Sequence, residues 1–150
     1  METYSNTTDS NRIYGKDNEI PAAERFCKNK PIYFKKTTIE HNKINKADVE
    51  VFSKKTNELL GILSIKCSKK YLNGAFPKSN LVPENISTHI LFENKNFKQY
   101  LILFELLKNF IKERKAKDNG EYYVIQERDL KYLSQKTPSL FSSINSKSLF

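Results

Sequence analysis

A chain of 150 residues that is 38% hydrophobic and 12% aromatic is one domain's worth of protein with enough apolar surface for a core. No apolar run approaches the roughly 18–20 residues that a membrane-spanning helix needs, so such a span is excluded and no membrane partner is expected. The net charge of +9 points to an anionic partner, but only Arg12, Arg25, Arg114 and Arg128 are arginines. Lysine is a point charge without the guanidinium fork, so the expected contact is with phosphates and not with particular bases.

Residues 1–20 are polar and without sustained periodicity, and are expected to form a flexible N-terminal arm ahead of a single globular domain over 21–150. The arm holds no apolar stretch of the kind a secretory signal carries. Cys27 and Cys67 form no close pair, and a reducing intracellular location, cytoplasmic or nuclear, fits them. Pro21 to Phe26 reads as one helical turn, with proline at its first position.

Strand patterns follow. "IYFKKTTI" (32–39), "ADVEVFSKK" (47–55) and "LLGILSIK" (59–66) read as strands, and the polar Lys55–Glu58 stretch makes residues 47–66 a hairpin. Asn73-Gly74, Pro77 and Pro83 mark a loop, and "ISTHILF" (86–92) alternates as a strand. From Asn96 to Lys117 the apolar residues Tyr100, Leu103, Phe104, Leu107, Phe110 and Ile111 recur at helical spacing and predict one long amphipathic helix. Asn119-Gly120 suits its end, "EYYVIQ" (121–126) reads as a strand, and "RDLKYLSQ" and the Thr137-capped segment after it read as short helices. The expected class is α+β: an antiparallel sheet of four to five strands packed on the long helix, with short C-terminal helices.

Much chemistry is absent. The four glycines form no phosphate loop or dinucleotide fingerprint, and no cofactor is expected. Cys27, His41, Cys67 and His89 lack the spacing of a structural zinc site, and no metal site is assigned. Cys67 and His89 are a nucleophile and base only if the fold brings them together.

The stretch "GILSIKCSKK" resembles the Glu-Ile-Lys-Cys segment of alkaline-exonuclease-like members of the PD-(D/E)xK nuclease superfamily. The resemblance covers about twenty residues. It implies that Asp48 stands for the upstream aspartate and Lys66 for the lysine beside the attacked phosphate. Ser64 stands where the superfamily has glutamate, and a hydroxyl is a poorer Mg²⁺ ligand than a carboxylate. Glu93-x-Lys95 is a second pair of the same type. The hairpin also resembles the central hairpin of GNAT acyltransferases, whose glycine-rich cofactor loop is replaced here by Asn94-Lys95-Asn96.

Pairing across the hairpin brings Lys46 beside Lys66, with Lys43, Lys69 and Lys70 nearby and Tyr71 just beyond. Such a cluster gains nothing from folding, and lysines beside an aromatic ring are what a nucleic-acid backbone and an unpaired base require. Arg114, Lys115 and Lys117, by contrast, match a helix C-terminal dipole without any ligand. The leading expectation is a nucleic-acid binder with little sequence preference and no catalytic residue assigned, acting through Lys43, Lys46, Lys66, Lys69, Lys70 and Tyr71. A non-catalytic accessory module that docks a protein partner, of the type found in viruses or mobile elements, is the alternative. A degenerate nuclease stands third.

Overall fold

The computed structural model describes residues 9–38 and 44–140. The chain is α+β. Helix α1 (Asp9–Cys27) leads into strands β1 (Ile32–Lys36), β2 (Val49–Ser53) and β3 (Leu59–Cys67). A short strand β4 (Gly74–Pro77) and one 3-10 turn (Lys78–Asn80) precede β5 (His89–Glu93) and β6 (Gln99–Leu103). Helix α2 (Phe104–Lys112), strands β7 (Lys117–Asn119) and β8 (Tyr122–Ile125), and helix α3 (Glu127–Lys136) complete it.

The main sheet runs β1-β2-β3-β5-β6, and a second sheet runs β4-β8-β7. The hairpin expected over 47–66 is present as β2 and β3, with Val49 opposite Leu63 and Glu50 opposite Ile62. The expectation of an antiparallel sheet fails at the centre: β3 and β5 are parallel, Leu63 facing His89 and Cys67 facing Glu93. Parallel neighbours need a crossover, and the segment from Ser68 to Thr88 supplies it.

The expected long helix over 96–117 is also corrected. Its first part is β6, antiparallel to β5, and α2 begins only at Phe104. Tyr100 and Ile102 satisfy a two-residue period as well as a helical one, and both are buried. Pairing with the buried strand β5 decides between the two, because it satisfies the whole backbone ladder there. Asn94 serves a turn and caps no helix: its Oδ1 accepts from the N–H groups of Asn96 (2.9 Å) and Lys98 (3.1 Å).

Residues 9–20, expected in a flexible arm, are helical in α1, and residues 1–8 lie outside the described residues. Pro21 sits inside this helix and not at its start. Weak amphipathicity hid the helix: among its described side chains the buried apolar ones are Ala22, Ala23 and Phe26, near one end. Residues 141–150, which include most of the expected last short helix, lie outside the described residues. The Thr137 hydroxyl, expected to cap that helix, accepts from Leu103 N (2.9 Å) and donates to Leu133 O (2.9 Å).

The main sheet is buried along one face and, over β5 and β6, on the other as well. One face packs Val49, Val51, Leu63, Ile65 and Leu91 against α1. The other packs Ile90, Phe92, Tyr100 and Ile102 against Phe76, α2 and α3. Among the described residues no helix is long and apolar enough to cross a membrane.

Candidate active site

The site forms where β2 and β3 part. Asp48 is the residue before β2, and its backbone is pinned from both sides. Its N–H donates to Leu63 O (2.8 Å), and its carbonyl accepts from Thr37 N (3.0 Å). The Asp48 side chain then takes a place in the ladder, with Oδ2 accepting from Ile65 N at 2.6 Å. A carboxylate replaces a backbone carbonyl there, so the strands diverge around a fixed acidic group.

Alternation along β3 places Ser64 and Lys66 on the face opposite Leu63 and Ile65. Lys66 Nζ donates to Asn80 Oδ1 at 2.6 Å. The 3-10 turn delivers that asparagine, and Asn85 Nδ2 holds its carbonyl at 2.8 Å. Burial pushes the Lys66 pKa down, Asp48 and Glu19 pull it back up, and Lys46 lowers it. Ser64 is completely buried, and its Oγ is without a hydrogen-bond partner.

Glu19 comes from α1. Its carboxyl hydrogen-bonds the Asp48 side chain, and its pKa is raised to about 8 by burial first and then by the Asp48 charge, with Lys66 opposing. Glu19 therefore keeps its proton to higher pH than a free glutamate, next to the Asp48 charge and Lys66. Three anchors fix α1 in this position. Arg25 bonds both oxygens of buried Glu93, with Nε 2.9 Å from Oε2. Gln99 Nε2 donates to Ala22 O (2.9 Å) and to Glu93 Oε2 (2.8 Å). The Cys67 thiol faces Asn18 O at 3.6 Å.

Of the residues expected to bind nucleic acid, Lys66, Lys69, Lys70 and Tyr71 line one cavity of about 440 Å³, which Glu19 also lines. Lys46 lies close enough to Lys66 to depress its pKa, as the hairpin register implies. Lys43 lies outside the described residues. The resemblance to PD-(D/E)xK nucleases pointed to Asp48 and Lys66, and these two do meet. Glu19 was missed, because it lies in the polar stretch assigned to the arm. The one available signal was its place a turn before the Ala22-Ala23 pair.

Other candidates do not assemble. Glu93 is committed to Arg25 and Gln99, so Glu93-x-Lys95 is no second site. Cys67 and His89 are four residues out of register on adjacent parallel strands, roughly 13 Å apart at the usual strand rise. Burial pushes the Cys67 thiol up to about 12, far from a reactive thiolate. Among the described residues no three His, Cys, Asp or Glu side chains gather as a ready metal cage. No known protein family, curated protein or solved structure matches the chain.

Proposed function

We propose that the protein binds nucleic acid by its backbone at the Glu19–Asp48–Lys66 cleft and hydrolyses a phosphodiester bond there with a divalent cation. The observation that carries this reading is the convergence of Glu19, Asp48 and Lys66 at the open end of the hairpin, with Asp48 Oδ2 held on Ile65 N and Lys66 Nζ on Asn80 Oδ1. Mg²⁺ characteristically binds through one or two carboxylates and completes its shell with water and substrate phosphate. A bound cation would be held by Glu19 and Asp48 and would take the place of the Glu19 proton. Glu19, reaching in from α1, supplies the second carboxylate that Ser64 cannot supply from β3.

The chain's own groups divide the remaining work. Lys66, oriented by Asn80, faces the charge that develops on the attacked phosphate. Lys69 and Lys70, both exposed, neutralise neighbouring phosphates. A water oxygen bonds to phosphorus and gives up a proton to solvent, one P–O ester bond breaks, and the leaving oxygen takes up a proton. A second reading, backbone binding without cleavage, is favoured by Ser64 at the glutamate position.

The test is incubation of the purified protein with single- and double-stranded DNA and RNA in Mg²⁺ or Mn²⁺. Cleavage that disappears in Glu19→Gln, Asp48→Asn and Lys66→Met supports hydrolysis. Salt-sensitive binding without cleavage leaves the second reading. Absence of binding at low salt defeats both.

A further inference from the structure

The cavity is larger than a phosphate site needs. Besides Glu19 and Lys66 it is lined by the rings of Tyr14, Tyr71, Tyr122 and Phe92, which form a recess. About 440 Å³ falls within the range of pockets that enclose small organic ligands. Tyr14, Tyr71 and Tyr122 are only half-buried, so their surfaces are shared between the protein and the opening. Lys69 and Lys70 are exposed where the recess meets solvent, and Lys69 Nζ lies 6.0 Å from the centre of the Tyr14 ring. Aromatic rings beside cationic groups in one cavity match one chemistry well: an aromatic base joined to a phosphate.

The wall carrying Tyr71 is fixed. Ser68 N donates to Glu93 O (2.9 Å), Tyr71 N to Ser68 Oγ (3.0 Å), and Lys95 N to Tyr71 O (3.1 Å). Two of the polar lining groups are committed within the protein: Tyr100 Oη and Asn94 Nδ2 both donate to Glu127 Oε2 at 3.0 Å. The tyrosine rings offer stacking, which every base can use, so the identity of a bound base is largely unread. A base inside a duplex is stacked on both sides and paired on its edge, so it cannot enter unless extruded.

We propose that the recess takes one unpaired base of the strand whose phosphate lies against Glu19, Asp48 and Lys66, so that the substrate is single-stranded nucleic acid or a single-stranded end. This rests on the phosphate-site reading above, and the experiment separates the two. Binding is measured by fluorescence anisotropy in Ca²⁺ for three labelled ten-mers: a normal single strand, an abasic sugar-phosphate strand and a blunt duplex. The normal strand is expected to bind about tenfold or more tightly than the abasic strand and the duplex. Tyr71→Leu is expected to abolish that difference, and Tyr71→Phe, which keeps the ring, to preserve it. Tyr14→Leu, on a different element, guards against a local folding defect in the Tyr71 variants and is expected to reduce the same difference. Equal affinity for normal and abasic strands, or for strand and duplex, overturns the base recess and leaves the phosphate site standing. Failure to bind any of the three overturns both.

Discussion

Glu19 on α1 and Asp48 at the mouth of the β2–β3 hairpin hydrogen-bond through their carboxyl groups, 29 positions apart in the chain. The folded state raises Glu19 to about 8, well above an unfolded glutamate. Between pH about 4.5 and about 8 the folded protein thus binds a proton that the unfolded chain has released. Stability from this group is lost as pH rises through that window. Tm should fall between pH 5 and pH 8.5, and Glu19→Gln should flatten the profile. A wild-type profile that is already flat would remove the retained proton.

Cation binding should carry the opposite pH dependence. Below about 8 a divalent ion must displace the Glu19 proton, so its affinity should increase with pH up to that point. Calorimetry at pH 6.5 in two buffers of different ionisation enthalpy should show proton release on Mn²⁺ binding. Glu19→Gln should abolish the release and weaken binding at least tenfold.

Asp48 has a structural duty separate from any chemistry. Removing its carboxylate in Asp48→Ala orphans the Ile65 N–H, which it meets at 2.6 Å, and should cost about 1–3 kcal/mol. Asp48→Asn keeps a carbonyl acceptor and should cost less, although it removes the charge a cation needs. Denaturant unfolding of both variants measures the difference. Equal losses would mean that Asp48 does not stabilise the hairpin through this bond.

Ser64 gives a prediction of unusual sign. Its hydroxyl is buried and without a partner, so Ser64→Ala removes an uncompensated polar group. Stability should be unchanged or increase by about 1 kcal/mol. If the variant unfolds more readily, a partner satisfies the hydroxyl in solution.

Gly74 is required by its neighbours. A β-carbon there would stand 2.8 Å from Phe92 Cδ1 and 3.2 Å from Leu130 Cδ2. Gly74→Ala should therefore cost about 1–3 kcal/mol by overpacking, read as a lower denaturation midpoint. Gly15→Ala, at a position with open space around it, is the control and should not destabilise α1.

The sequence by itself determined strands β1, β2, β3, β5 and β8 and half of the site. Alternation over 47–66 sufficed for the hairpin, and hence for Lys46 near Lys66, because both follow from pairing within one short segment, while the register shift between Val51 and Phe52 had no such signal. Asp48 and Lys66 belong to that segment and were legible with it. Tertiary structure decided whatever depended on distant pairing. Residues 99–103 fit helix and strand equally well, and the neighbouring β5 chose strand. The parallel join of β3 and β5 has no local signature, since it is made across a crossover. Glu19 became a site residue only because Arg25, Gln99 and Cys67 hold α1 against the open end of the hairpin. A carboxylate's chemistry is set by what stands within a few ångströms of it, and only the folded chain puts Asp48 there.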